Sequence, residues 1–212
     1  IQEIYNNAIV AGWDLFVQDC AYTGIGEGKG LFNSDDVLTI TIPNKADQKG
    51  FDTMTDAEVV AVFNGIFERY LSESNMNTTI LPDTILVPTY VMTDPTSRFS
   101  ALYTSTMYNF LLEHNLGAAQ SGDLKLRIEG RPALNDLNGG KGRIVAYKKA
   151  KQFVRIDIPY PIQHYITLPN IDKMSYTSAF VGQVSEIQMP YNTDSANLGV
   201  VTYWDFQHDT NS

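Results

Sequence analysis

Cysteine is almost absent: Cys20 is the only one in 212 residues. A single thiol makes no internal disulfide and no thiolate metal cluster. A secreted disulfide scaffold is thereby excluded, and the expected place of folding is a reducing cytoplasm. Charge is scarce as well, at 18% of residues, against about 25% in an ordinary soluble domain. A surface this poor in charge suits one covered by neighbours, though a merely neutral surface fits too. The basic sign is the scarcer: 15 Lys and Arg stand against 24 Asp and Glu, a net charge of −9. Gripping phosphates requires a Lys/Arg patch, and none stands out. An acidic protein can still sit beside DNA without adhering to it. No apolar run approaches the ~18 residues of a membrane span, and no signal-peptide layout opens the chain. An initiator Met is lacking too: the sequence begins at Ile1 in mid-helix, so a processed product, a trimmed piece or a fragment is expected.

Hydrophobic residues make up 43% of the chain, enough for a real core. The length allows one large domain or two small ones. Ile1, Ile4, Tyr5, Ala8, Ala11, Leu15 and Phe16 recur at helical spacing, predicting a helix from Ile1 to about Tyr22. It ends at the glycine-rich stretch Gly24 to Gly30. Val37 to Ile42 alternates as a strand, and Pro43 to Gly50 reads as a polar loop. Thr55 and Glu58 have capping-box spacing, and Val59, Phe63, Ile66 and Tyr70, widened by Phe67 and Leu71, mark one face of the helix that follows. Ile85 to Met92 is extended, with Pro88 at an edge or bend. Ser97 to Asn115 is expected to be a third helix, with Phe99, Tyr103, Met107, Phe110 and Leu111 on its face.

Strands dominate the rest: Leu124 to Glu129, Ile144 to Tyr147, Phe153 to Ile158, Thr177 to Val181, Val184 to Met189 and Val200 to Phe206. Asn138 to Gly142 reads as a flexible turn, and Pro159, Pro161 and Pro169 as strand breakers. Helices early and strands late predict an α+β fold rather than a regular βαβ repeat.

The candidate chemistry is thin. A phosphate loop needs Gly-x4-Gly-Lys-Ser/Thr between strand and helix. Gly24 to Lys29 is one residue short, Gly30 takes the place of the hydroxyl, and the loop lies between a helix and a strand; a flexible helix exit is the better reading. His114, His164 and His208 show no zinc-binding spacing, and His114 sits where a helix C-terminus favours a cation. Cys20 beside Asp19 reads as a buried inert thiol. Asp35-Asp36, and Asp205 and Asp209 around His208, are carboxylate pairs whose default is solvation. The Asn77-Thr78-Thr79 sequon reads as chance. Tyr160, Tyr165, Tyr176, Tyr191 and Tyr203, with Trp13 and Trp204, could stack on sugars, but core and subunit contacts are the better reading. No catalytic, cofactor-binding or metal residue is therefore expected, and no enzyme. An interaction or structural protein is.

Gly30-Leu31-Phe32-Asn33 after a helix and a Gly-rich turn resembles the segment after the backbone helix of tailed-phage major capsid proteins. Arg143 to Lys149, Val154 to Ile158, Pro159-Tyr160-Pro161 and Glu186 to Pro190 follow in an order similar to one phage and prophage capsid family. The resemblance implies the Hong Kong 97-type capsid fold, with a spine helix and narrow sheet in a peripheral domain and an axial domain of sheet and helices. It implies three segments: 1–54 with spine helix, turn and first peripheral strand, 55–152 as the axial domain, and 153–212 as return strands of the peripheral domain. It implies a virion shell protein whose partners are copies of itself and enclosed double-stranded DNA, with no membrane. The family's N-terminal arm and extended loop have no counterpart before Ile1. Its Lys–Asn cross-link and maturation protease have no matching residues either, and neither is carried over. The competing readings are a sugar- or peptide-binding module built on the Tyr-rich half, and a carboxylate-dependent hydrolase.

Overall fold

The structure is a computed structural model that describes residues 2–42, 54–97, 99–100, 105–122, 124–135, 137, 141–173, 175–190 and 199–207. In chain order the elements are α1 (Gln2–Tyr22), β1 (Thr39–Thr41), α2 (Asp56–Glu73), β2 (Thr84–Val87), α3 (Thr89–Ser97), β3 (Phe99–Ser100), β4 (Ser105–Thr106), α4 (Met107–Glu113), α5 (Leu116–Ser121), β5 (Arg127–Gly130), β6 (Lys141–Tyr147), β7 (Arg155–Ile156), β8 (Tyr160–Asn170), β9 (Ser175–Gln183), β10 (Ile187–Gln188) and β11 (Val201–Gln207). They form two compact units, Ile1–Ser34 with Arg155–Gln188, and Asp35–Val154 with Met189–Ser212.

The larger unit is built on a five-stranded sheet of order β1-β11-β6-β2-β5. The outer pairs β1/β11 and β2/β5 are parallel, and the inner pairs β11/β6 and β2/β6 are antiparallel. Because side chains alternate along a strand, Ile85, Val87, Ile144, Ala146, Trp204 and Phe206 share one core with Val59, Phe63, Ile66 and Tyr70 of α2. The residues between them, Leu86, Val145, Val201 and Tyr203, are also buried. The 3-10 turn Pro132–Leu134 lies against β6, with Leu134 fully buried. Burial on both faces is why these strands read as nearly unbroken apolar runs.

Two polar clusters sit inside this unit. Trp204 Nε1 donates to Thr202 Oγ1 (3.0 Å), which lies 3.0 Å from the Tyr70 hydroxyl. That hydroxyl in turn lies 3.2 Å from the carbonyl oxygens of Ala146 and Val200. Arg143 and Asp205 face each other across β6 and β11. The guanidinium donates twice, from Nε to Oδ1 (2.6 Å) and from an Nη to Oδ2 (2.7 Å), and it stacks 4.3 Å from the Tyr203 ring centroid.

The smaller unit holds α1, a ribbon of antiparallel β8 and β9, and the short β7/β10 pair. Trp13 of α1 lies directly over Gly182 of β9, where a Cβ would strike the indole. The exit from α1 is closely packed: Gly24 has φ +75°, and a Cβ there would meet the Gly28 carbonyl. Tyr22 stacks on Phe32 with centroids 4.9 Å apart.

Several expectations need correction. The helix expected over Ser97 to Asn115 is not one element. Ser105 and Thr106 pair with Ser100 and Phe99, and the extended Thr106 caps a helix that starts only at Met107. The extended run expected to reach Met92 ends at Val87, because α3 begins at Thr89. Asn135 Oδ1 accepts from the Thr89 N–H (2.8 Å) and hydroxyl (3.0 Å), a cap supplied from 46 residues away. Pro161 and Pro169, expected to break the chain, lie within β8. A two-stranded ribbon has two open edges, where a missing N–H removes no ladder bond.

Strand pairing also groups the chain differently from 1–54, 55–152 and 153–212. Thr39 to Thr41 pair with Tyr203 to Asp205 in the five-stranded sheet, so both strands belong to the larger unit. The expected loop Pro43 to Gly50, most of the turn Asn138 to Gly142, Tyr103, Tyr191, His208 and Asp209 lie outside the described residues.

Candidate assembly surface

The smaller unit buries little of its apolar surface. Among its described residues the buried hydrophobic side chains are Cys20, Leu31 and Phe32. By contrast, every exposed large hydrophobic in the described residues except Met76 lies in this unit. On α1 the half-covered residues are Ile9, Trp13 and Val17, followed by buried Cys20. Ile4, Ala8, Ala11 and Leu15 are exposed. At about 100° per residue these two sets lie on roughly opposite sides of the helix. The repeat that announces the helix in the sequence is thus mostly its bare side.

The ribbon has the same asymmetry. Phe180 and Gly182 are half-covered, with Gly182 under Trp13. By the register, His164, Thr167 and Pro169 share their face. His164 Nε2 lies 2.7 Å from Thr167 Oγ1, which lies 3.0 Å from Ser178 Oγ. On the opposite face, Tyr160, Ile166, Leu168, Ala179 and Val181 are all exposed. Neither strand contains an Asp, Glu, Lys or Arg. Long edge strands are normally guarded against pairing with other chains by charges, prolines or bulges; here the charges are absent, while Pro161, Pro169 and two register shifts remain. Sequence reasoning located β9 at Thr177 to Val181 but read the β8 stretch as broken by prolines, and it overlooked this lack of charge, the signal by which the surface could have been found.

The residues weighed for chemistry are otherwise engaged. In the glycine loop, the Gly24, Gly28 and Leu31 amides donate to the Asp19, Ile25 and Ala21 carbonyls, and the Gly30 amide to Asn33 Oδ1. The Glu186 carboxylate stands where a Cβ of Gly28 would be, the wrong sign for a phosphate. Burial first, and Asp19 second, push the Cys20 thiol up, away from the reactive thiolate. His114 ends α4, with its ring 5.1 Å from that of Phe110. Asp35 and Asp36 are exposed, and Asp205 is held by Arg143. Tyr203 is fully buried, while Tyr160 and Tyr176 stand on opposite faces of the ribbon, so they form no common platform. Among the described residues, no cluster of His, Cys, Asp and Glu could hold a metal, and no helix is long and apolar enough to cross a membrane.

In the larger unit a groove of about 810 Å³ lies between β1 and α2. Ile40, Ile42, Met54, Val62 and Trp204 make its apolar wall. Its acids are Glu58, Glu68 and Glu73. Glu58 accepts from the Thr55 N–H (2.9 Å) and Glu73 pairs with Arg69 (2.6 Å), so these two hold α2 together.

The model of the family described as "Major capsid protein" matches residues 1–194. No curated protein matches the chain. Among solved structures, "The capsid of Myoviridae Phage XM1" is similar, with a TM-score of 0.69 and 12% sequence identity, over 97% of this chain. The chain spans 65% of the length of that capsid chain. This likeness shows a phage capsid fold of mixed α and β elements. With the family model matched over most of this chain, the chain belongs to the major capsid protein family.

Proposed function

We propose that this protein is a shell subunit of Hong Kong 97 type, folded in the bacterial cytoplasm and assembled with copies of itself into rings of five and six that tile a closed capsid. The smaller unit, with a long helix beside a narrow ribbon, plays the peripheral part, and the larger unit, with its sheet under helices, the axial part. Head-to-tail contacts between identical subunits close into rings when the rotation permits. Many weak contacts then make a strong lattice. The observation that carries this reading is the concentration of exposed apolar side chains in the smaller unit, which a lone chain in water leaves bare.

The enclosed cargo is double-stranded DNA, held without a specific grip. A net charge of −9 supports that role, because a strongly basic wall would bind the packaged polymer tightly. Electron microscopy of the purified protein at raised concentration tests the proposal. Closed shells or rings are expected; a protein that stays monomeric under every assembly condition tried overturns it.

A further inference from the structure

We propose that the end of the five-stranded sheet around Asp83 is where this subunit touches the phosphates of the enclosed DNA. This rests on the capsid reading above and names the contact with its cargo. In the sequence, Lys125 and Arg127 stand far from Lys148, Lys149 and Lys151, and no patch shows. The sheet brings the two groups together. Thr84 opens β2 and pairs with Arg127 of β5 on one side and Tyr147 of β6 on the other. Asp83, just before it, holds both groups by the backbone. Its carbonyl accepts from the Arg127 N–H (2.8 Å), and its Oδ1 accepts from the Lys149 N–H (2.8 Å) and the Thr84 hydroxyl (2.9 Å). The turn that carries the lysines is closed by the Ala150 N–H on the Lys148 carbonyl (2.9 Å) and anchored by buried Phe153.

Five of the chain's 15 Lys and Arg thus stand at one end of the sheet. Lys125, Arg127, Lys149 and Lys151 are exposed, and Lys148 is half-buried. The described acids among them are Asp83, whose Oδ1 is already taken, and Glu129, which lies closer to Arg131 (2.9 Å) than to Arg127 (3.7 Å). Two ladder spacings, about 10 Å, separate Arg127 from Tyr147. Over that length a DNA duplex carries about six phosphate charges. Carboxylates in the larger unit of a second copy are a poorer match. There Asp205 is held by Arg143, Glu58 by the first turn of α2 and Glu73 by Arg69. Phosphate contacts carry no sequence information, which agrees with a cargo held without a specific grip. One small patch on a chain of net charge −9 gives weak, salt-sensitive contacts that let the polymer slide.

Fluorescence anisotropy with short labelled DNA duplexes, read from low to physiological salt, tests this. The native protein should bind two unrelated sequences equally. The logarithm of its affinity should fall against that of salt with a slope between about −3 and −4.5, as expected for about three to five phosphates. Replacing Lys148, Lys149 and Lys151 together by Gln, all on a surface turn, should keep the urea midpoint. It should weaken binding by about tenfold or more and make the slope shallower by about 2 to 3. Arg127→Gln should make it shallower by about 1, and Lys173→Gln, in the smaller unit, should change nothing. No binding at low salt, or binding that the triple variant keeps in full, overturns the inference. Electron microscopy of the same proteins separates this from the fate of the capsid reading. Native shells without DNA binding overturn the inference and leave the capsid reading intact. Loss of shells in the triple variant, with no DNA binding by the native protein, would give the patch to acids of another copy and overturn the inference too. DNA binding that depends on the patch, without shells under any condition, would remove the capsid reading and leave the phosphate contact.

Discussion

Tyr70 and Arg143 show how single side chains set the sheet of the larger unit. The Tyr70 hydroxyl links α2 to two strands by way of Thr202 and two carbonyls. Tyr70→Phe keeps the ring and removes those bonds, and should cost about 1–2 kcal/mol of stability in a urea titration. Burial pushes the Tyr70 phenol up, and the hydrogen bond with Thr202 only partly offsets it. A phenol raised on folding contributes stability that is complete below its ordinary value of about 10 and is lost as pH rises beyond it. The advantage of the native protein over Tyr70→Phe should therefore shrink above about pH 10. The Arg143–Asp205 pair follows a different rule. With side chains 7% and 12% exposed, breaking it by Arg143→Met leaves a nearly buried carboxylate alone and should cost about 3–5 kcal/mol. Replacing both, as Arg143→Met with Asp205→Leu, should recover most of that loss. Neither role is visible in the sequence, where Tyr70 is one apolar position of a helix and Asp205 one of two acids flanking a histidine. Their partners come from strands 62 to 132 residues away.

At the scale of elements, legibility follows locality. The capping box of α2 is complete within four residues: the Thr55 hydroxyl accepts from the Glu58 N–H (3.4 Å), and the Glu58 carboxylate from the Thr55 N–H (2.9 Å). Its six expected core positions are all buried. Thr55→Ala should lower stability by about 1 kcal/mol, read as a lower urea midpoint with an unchanged slope. For α3 and α4, local pattern fails. One helix is started by Asn135 across the fold, and the other is delayed by the β3/β4 pairing. The ribbon shows a third case, since prolines that would interrupt a central strand are harmless on an open edge. Helix α1 is the most instructive. Its periodicity correctly announces a helix, but periodicity cannot say whether a stripe is covered by the same chain or by another molecule. The candidate surface was therefore half legible: its residues stood in the sequence, and their exposure did not.

For the whole molecule, the two units differ in what holds them. The larger one buries a contiguous core from Ile40 to Phe206. The smaller one has few buried side chains for its length and a two-stranded ribbon, which in water is marginal at best without a covering layer. Opening of the smaller unit should therefore require far less free energy than unfolding of the five-stranded sheet. Hydrogen exchange followed by mass spectrometry separates the two. In dilute unassembled protein, amides of β6 and β11 should stay protected for hours, while those of β8 and β9 exchange in seconds to minutes. Assembly should then slow the β8 and β9 amides by about a hundredfold or more, because covering the ribbon adds a few kcal/mol to the cost of opening it, and should leave the β6 and β11 amides little changed. Equal protection of both units in the isolated chain would show that the smaller unit is stable without neighbours. Its bare apolar faces would then have to be explained by something other than assembly.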